Sequence, residues 1–161
     1  MGAESVTVCF TGNPNCGKTT LFNAYTGAGK KTANWPGVTV ALSEGSLMHR
    51  GRLVHLVDTP GIYSLDPYTM EETVTRQCIR DQKADVIIHV ADALLLERSL
   101  FLTMQLLAEG RPMVLALNMM DLVRERGMDI DTEGLSRLLG GIPVIPVSAR
   151  RRTGLEELMD V

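Results

Sequence analysis

The segment at residues 12–19, GNPNCGKT, constrains this chain more than any other feature. It matches the pattern G-x-x-x-x-G-K-[ST] and lies between an apolar run at 6–10 and a helix-like stretch at 19–25. Such a loop needs glycine because its backbone wraps closely around a polyphosphate and turns its N–H groups inward. Lys18 then supplies a charge to the outer phosphates and Thr19 a hydroxyl to a bound Mg²⁺. A Gly-rich surface turn is the alternative, but the place between strand and helix favours a phosphate-binding loop.

Composition narrows the function classes. The 161 residues, 45% hydrophobic and 22% charged, predict a single soluble domain over 1–161. A net charge of −3 gives no reason to expect nucleic acid or an anionic membrane as a partner. Three cysteines without C-x-x-C spacing indicate neither a disulfide framework nor a zinc site, and favour a reducing cytosol. No apolar run approaches the roughly 20 residues that span a bilayer, and no signal peptide precedes the first strand.

Apolar blocks alternate with amphipathic stretches, which predicts an α/β fold. The predicted strands are 6–10, 38–48, 53–57, 86–90, 113–117 and 144–147. A short turn joins the second and third strands, so these should be antiparallel, whereas helix-length crossovers make the others parallel. Pro146 lacks a ladder N–H, so the last strand should lie at an edge. We therefore expect a three-layer domain with a mostly parallel six-stranded sheet and one antiparallel strand, its ligand beyond the carboxyl ends of the strands.

The second motif, Asp58-Thr59-Pro60-Gly61, directly follows a predicted strand, forty positions after Lys18. An aspartate at a strand end can hold a metal-bound water beside a nucleotide. Gly61 can bring its N–H close to a terminal phosphate because no side chain intervenes. An ordinary turn is the alternative in isolation, but the order and spacing favour the nucleotide role.

The third and fourth motifs also follow predicted strands. In Asn118-Met119-Met120-Asp121, the Asp121 carboxylate can accept hydrogen bonds from the N1–H and exocyclic amine of guanine. Adenine offers no such pair of donors, so Asp121 would select the base. Ser148-Ala149, thirty positions after Asn118, can offer a backbone N–H to guanine O6.

These four motifs together resemble those of the Ras-like, TRAFAC-class GTPases over nearly the whole chain. The closest resemblance is to the cytosolic G domain of the FeoB family of bacterial ferrous-iron transporters. It rests on residues 13–15, on the segment NWPGVT at 34–39 and on Asn118-Met119, where most other GTPases carry lysine at the second position.

The resemblance implies which residues carry each role. The expected nucleotide-binding residues are Asn13, Pro14, Asn15, Cys16, Gly17, Lys18, Thr19, Thr20, Asp58, Gly61, Asn118, Met119, Asp121, Ser148 and Ala149. Mg²⁺ is expected at Thr19, Thr39 and Asp58, with Thr39 as the switch threonine. K⁺ is expected at Asn15 and at the carbonyls of Ala33 and Trp35. The catalytic residues are expected to be Asn15, Lys18, Thr39 and Gly61.

Ile62 stands where Ras-like enzymes carry a glutamine that orients the attacking water. Its side chain can neither donate nor accept a hydrogen bond, so we expect it to pack and expect slow hydrolysis. A K⁺ ion held by Asn15 could supply the missing positive charge, much as an arginine finger would. The alternative is that Asn15 only caps the loop through local hydrogen bonds.

Other candidate residues have structural interpretations. The three histidines share no spacing, and Cys16 is expected to pack, although its oxidation is an alternative. Glu71 and Glu72 fit the acidic start of a helix, with iron sensing as the alternative. The basic run 150–152 fits a solvated loop. Trp35 lies in the expected switch loop rather than in the core.

The resemblance implies a GTP-hydrolysing switch that regulates a ferrous-iron pore in a bacterial inner membrane, on the cytosolic side. Its expected partners are guanine nucleotide and the regulatory and membrane domains of the same transporter; an oligomer is left open. One alternative is a free-standing K⁺-dependent GTPase of ribosome assembly or tRNA modification, against which the acidic balance argues. The other is a nucleotide-dependent binding module whose hydrolysis is incidental.

Overall fold

The computed structural model describes residues 5–27, 31–34, 41–66, 68–81 and 84–161. The strands are β1 (Ser5–Gly12), β2 (Lys31–Asn34), β3 (Ala41–His49), β4 (Arg52–Asp58), β5 (Val86–Asp92), β6 (Met113–Asn118) and β7 (Val144–Pro146). The helices are α1 (Lys18–Thr26), α2 (Met70–Asp81), α3 (Leu96–Ala108), α4 (Met120–Glu125), α5 (Thr132–Leu138) and α6 (Leu155–Asp160). Among these helices of the described ranges, none is long and apolar enough to cross a membrane.

One sheet contains the strands in the order β2-β3-β4-β1-β5-β6-β7. β3 is antiparallel to both of its neighbours, and the remaining neighbouring pairs are parallel. The mostly parallel α/β fold, its single antiparallel strand and the six predicted strands are confirmed, except that residues 38–40 of the second predicted strand lie outside the described residues. The last strand, β7, lies at an edge, as Pro146 predicted. A seventh strand, β2, was not predicted because its four residues, KTAN, contain no apolar run.

Apolar side chains cover both faces of the sheet, which explains why the central strands are apolar throughout. On one face, Phe10 and Ile88 belong to the same buried cluster as Leu21 of α1. On the other face, Ile87 belongs to a cluster with Leu102 of α3. Neighbouring residues of β5 thus point to opposite layers, as the alternation of a strand requires. The resulting arrangement is helix, sheet, helix.

The topology brings the four motifs to one edge of the sheet. β1 ends at Gly12, β4 at Asp58 and β6 at Asn118, while Ser148 follows β7 by two residues. Because these strands are parallel, their carboxyl ends lie together, and the loops that follow them enclose a common site.

Candidate nucleotide-binding site

The loop between β1 and α1 borders a cavity of about 330 Å³, which is lined by residues 13–20 and Gly61. Its two motif glycines are required by close contacts. A Cβ atom on Gly12 would lie 2.6 Å from the carbonyl oxygen of Val90, and one on Gly17 would lie 2.1 Å from Asn118 Nδ2. Gly17 also has φ of 85°, a left-handed conformation in which side chains are strained. The loop can therefore keep its curvature only with glycine at both positions.

The charged groups of the site meet where this loop approaches the end of β4. Lys18 and Asp58 form a buried ion pair between Nζ and Oδ1. Thr19 Oγ1 donates a hydrogen bond of 3.1 Å to Asp58 Oδ2. The hydroxyl and carboxylate oxygens of Thr19 and Asp58 are hard ligands of the kind that Mg²⁺ prefers, so the donor set fits the expected metal. Thr39, the third expected Mg²⁺ ligand, lies outside the described residues.

The segment after Asp58 is fixed against the phosphate loop. Thr59 Oγ1 donates a 2.6 Å hydrogen bond to the carbonyl of Phe10, and the Ile62 N–H donates a 3.0 Å hydrogen bond to the carbonyl of Gly12. A Cβ atom on Gly61 would lie 2.9 Å from Pro14 Cα, so glycine is required by this close approach. The segment thus places the Gly61 backbone against the cavity.

The side chain of Ile62 points away from the cavity into the core. It is 3% exposed and belongs to the buried cluster that contains Ile79, Leu102 and Leu106. The expectation that Ile62 packs is therefore correct. An aliphatic side chain in this position cannot orient a water molecule at the nucleotide.

Asn118 joins the phosphate loop to the loop after β7. Its Nδ2 donates a 2.9 Å hydrogen bond to the carbonyl of Cys16, and its Oδ1 accepts a 2.9 Å hydrogen bond from the N–H of Ala149. The side chain is 3% exposed, so neither bond competes strongly with water. Asn118 therefore holds two of the predicted nucleotide-binding loops in register with each other.

A second cavity, of about 150 Å³, adjoins the first. Residues Gly17 and Thr20 line both cavities, so the two lie side by side at the start of α1. The remaining lining residues are Asn118, Met119, Asp121, Leu122, Ser148, Ala149 and Arg150. The third and fourth motifs thus share one pocket beside the phosphate loop, as their spacing predicted.

Asp121 lies in the first turn of α4 with a carboxylate oxygen that lacks a donor. Within the described residues, its buried Oδ2 accepts no hydrogen bond. Arg151 Nε lies 3.3 Å from this oxygen, close enough for charge attraction but outside hydrogen-bond geometry. Arg151 Nη2 instead donates a 2.8 Å hydrogen bond to Glu125 Oε1. Asp121 is thus held by charge and retains an unused acceptor.

The position of Arg151 beside Asp121 was not predicted, because the basic run 150–152 was expected to be a solvated loop. The side chain is 56% exposed, but its guanidinium reaches back to Asp121. The hydrogen bond of 3.1 Å from the Arg151 N–H to Ser148 Oγ turns the chain in this direction. Nothing in the sequence distinguishes it from Arg150 or Arg152, because the contact depends on that turn.

The expected K⁺ ligands are placed only in part. Asn15 is an exposed residue of the phosphate loop, lines its cavity and has φ of 65°. Ala33 lies in β2 opposite Leu42 of β3. Trp35 lies outside the described residues. The structure therefore puts Asn15 at the cavity, while the complete K⁺ set extends beyond the described residues.

Other polar residues singled out by sequence have mostly structural surroundings. Cys16 is buried, and burial raises the pKa of its thiol, which favours the interpretation as a packing residue. Glu72 accepts a 3.0 Å hydrogen bond from the Tyr68 N–H, and its own N–H donates a 3.2 Å bond to Thr69 Oγ1. Glu72 thus caps the start of α2, in agreement with the predicted acidic helix start. His89 is buried, whereas His55 is exposed.

Known proteins are similar to this chain over a range that includes all four motifs of the candidate site. The family model of ferrous iron transport protein B matches residues 6–161. The Fe(2+) transporter FeoB of Legionella pneumophila (strain Paris) is 48% identical over 151 residues, covering 91% of this chain but 20% of that protein. The cytosolic domain of the T. maritima FeoB iron transporter is similar in its GDP form, with a TM-score of 0.94 and 40% identity over 99% of this chain and 62% of that one. Its GMPPNP form gives a TM-score of 0.93 and 41% identity over 96% and 61% of the two chains. The chain thus spans one fifth of the length of its curated relative.

Proposed function

Because this chain belongs to the ferrous iron transport protein B family, we propose that it binds and hydrolyses GTP to control ferrous-iron transport across a bacterial inner membrane. The observation that carries this proposal is the pair of neighbouring cavities, one at the phosphate loop and one lined by Asp121, which share Gly17 and Thr20. The similar T. maritima domain occurs in GDP and GMPPNP forms, which supports a guanine nucleotide as the ligand.

Guanine fits the carboxylate of Asp121, which lines the second cavity. Its N1–H and exocyclic amine are adjacent donors, which a carboxylate can accept together. Adenine would leave both of these hydrogen bonds unmade, at a cost of roughly 1–3 kcal/mol each, so it would be discriminated against by at least tenfold. The backbone N–H groups of Ser148 and Ala149, predicted to meet guanine O6, are already bonded to the Thr153 carbonyl and to Asn118 Oδ1. Either group would have to exchange its present partner to bind guanine O6.

Calorimetry with GDP, a non-hydrolysable GTP analogue and ADP tests this assignment. We expect binding of both guanine nucleotides and at least tenfold weaker binding of ADP. Asp121→Asn should reduce GDP binding and favour xanthosine diphosphate, whose base presents an oxygen where guanine carries the amine. Glu133→Gln is a control of similar chemistry, because Glu133 is an exposed carboxylate on α5 that lines neither cavity. Equal affinity for GDP and ADP would overturn the proposal.

Lys18, Thr19 and Asp58 would bind the phosphates and Mg²⁺. Lys18 offers its charge to the outer phosphates, and Thr19 with Asp58 would hold the ion through oxygen ligands, joined by Thr39. When bound, Mg²⁺ supplies positive charge to the phosphate oxygens. The Gly61 N–H is placed beside the same cavity and would contact the terminal phosphate. Hydrolysis should be slow because the buried Ile62 leaves the water without a side-chain partner.

K⁺ would bind near Asn15 and the carbonyls of Ala33 and Trp35. Asn15 fits because a neutral amide oxygen at the rim of the phosphate cavity suits a monovalent cation. GTP turnover in K⁺ and in Na⁺ should differ for the wild-type protein and be equal for Asn15→Ala. Equal wild-type rates in the two salts would contradict K⁺ stimulation without affecting the guanine assignment.

The remaining partners would be other parts of a longer protein. The chain covers 20% of its curated relative, a Fe(2+) transporter, so we expect regulatory and membrane domains of the same polypeptide as partners on the cytosolic side. Membership of a transporter family argues against a free-standing ribosomal or tRNA-associated GTPase. The burial of Ile62 still favours a second candidate, a nucleotide-dependent binding module with incidental hydrolysis. This second candidate would be favoured by two results together. Single-turnover kinetics would show GTP uncleaved, and the affinity for a partner would differ between the GDP form and the GTP form.

A further inference from the structure

Two cysteines outside the nucleotide site face each other in the core. Cys9 lies in β1 and Cys78 in α2, 69 positions apart in sequence, and their Sγ atoms are 3.3 Å apart. Both residues are completely buried, and both are free thiols. The contact therefore joins the strand that leads into the phosphate loop to the helix that follows the Asp58–Gly61 motif.

Apolar side chains surround this thiol pair. Among the residues that the structure describes, its cluster contains six buried members: Cys9, Leu42, Val57, Val74, Cys78 and Ala84. The hydrogen bond to Cys78 and the burial both raise the pKa of the Cys9 thiol, so this group stays protonated while α2 is docked. Since the thiolate is the reactive form, the docked pair is protected from oxidants.

We propose that Cys9 and Cys78 form a reversible disulfide that links α2 covalently to β1. A disulfide has an S–S distance of about 2.05 Å, so the two sulfurs would need to approach by roughly 1.2 Å, within reach of side-chain rotation and a small helix shift. Local opening of α2 exposes both thiols together, because each covers the other at the same helix–strand contact.

The reaction is a thiol–disulfide exchange with a low-molecular-weight disulfide such as glutathione disulfide. One protein thiolate attacks the reagent, forms a mixed disulfide and releases the first glutathione thiolate. The second protein thiolate then attacks the mixed disulfide, forms the Cys9–Cys78 bond and releases the second. The protein loses two electrons and two protons, which reduce and protonate the two glutathione molecules.

Oxidation should stabilise the domain measurably. A crosslink that closes a loop of this length constrains the unfolded chain strongly. For a chain of this size the expected rise in unfolding temperature is roughly 10 °C. The sulfurs do not line the phosphate cavity, so GDP binding should persist in the oxidised protein.

The experiment exposes the full chain to glutathione disulfide, alkylates the remaining thiols and maps the peptides by mass spectrometry. We expect a linked Cys9–Cys78 peptide, a loss of two hydrogens, and a higher unfolding temperature that dithiothreitol reverses. Cys9→Ala and Cys78→Ala should each show no reversible rise. Cys16, buried in the phosphate loop, is an internal control that should stay alkylatable after unfolding.

Two results would overturn the proposal. In the first, Cys9 and Cys78 remain unlinked after incubation with glutathione disulfide in mild urea, where α2 opens repeatedly. In the second, glutathione is found attached to single cysteines and no linked Cys9–Cys78 peptide is detected. If either alanine variant fails to fold, the peptide map of the wild-type protein alone decides between these outcomes. None of these readouts depends on GTP binding, so a failure here leaves the proposed function unaffected.

Discussion

Acidification should destabilise this domain through His89. The residue lies in β5 opposite Thr11 of β1 and is completely buried on the face that α3 covers. Within the described residues, its ring nitrogens make no hydrogen bond of normal geometry. Burial lowers the pKa of His89 to about 4, and a nearby backbone group of Ser99 offsets only part of this effect. The neutral imidazole is therefore the form that the fold accepts.

His89 binds a proton less readily in the folded protein than in the unfolded chain, and this difference makes stability depend on pH. The unfolded chain takes up a proton near the ordinary histidine pKa of about 6.5, whereas the folded chain resists it until about pH 4. Unfolded molecules thus bind more protons between these values, and stability falls as the pH falls through this window. The full difference of about 2.5 pKa units corresponds to about 3 kcal/mol, and most of it should be lost by about pH 4.5.

Urea unfolding between pH 7.5 and 4.5, followed by circular dichroism, measures this loss. Carboxylates also titrate in this range, so the comparison between variants carries the test. His89→Gln should remove about 2.5 kcal/mol of the pH-dependent decrease. His55→Gln is the matched control substitution, because the His55 side chain is 39% exposed beside Glu44 rather than completely buried. If wild-type protein and His89→Gln lost stability equally with pH, the assignment of a buried neutral imidazole would be refuted.

Three further substitutions test the nucleotide site. Asn118→Ala removes two buried hydrogen bonds and leaves the Cys16 carbonyl and the Ala149 N–H unpaired, so thermal unfolding should show a loss of about 2–4 kcal/mol; an unchanged unfolding temperature would contradict this. Asp121→Asn should weaken GDP binding at least tenfold in calorimetry, and retained affinity would show that the carboxylate does not contact the base. Arg151→Ala should raise the dissociation constant for GDP about threefold, since a half-exposed ion pair contributes below about 1 kcal/mol, and Arg151→Lys should restore part of the loss.

The arrangement of the motifs could be predicted because it depends on local patterns. Apolar runs identify the central strands, and the helix-length connections make those strands parallel. Once β1, β4 and β6 are parallel, the residues that follow them must meet at one edge. The apolar runs and the helix-length connections are therefore enough to predict that one site contains Gly12, Asp58 and Asn118.

β2 and α4 could not be predicted in this way. β2 is an edge strand whose residues gain their structure from pairing with β3, as in the register between Ala33 and Leu42. α4 is only six residues long and begins after Met119, which adopts a left-handed conformation with φ of 66°. Such short elements are stabilised by their neighbours rather than by their own periodicity.

The order of the motifs predicts where Asn118 lies but not how its side chain acts. Its place in the third motif indicates a nucleotide-binding residue, and the side chain does line the base pocket. However, its amide group is already paired at both ends, with the Cys16 carbonyl and the Ala149 N–H. A further donor or acceptor role toward the base would compete with these bonds in a buried site, where an unpaired group costs roughly 1–3 kcal/mol. Asn118 therefore fixes the distance between the loop after β1 and the loop after β7, and under the proposed function it would act on the nucleotide in this indirect way. This role of Asn118 can be recognised only when both of its hydrogen-bond partners, the Cys16 carbonyl and the Ala149 N–H, are known.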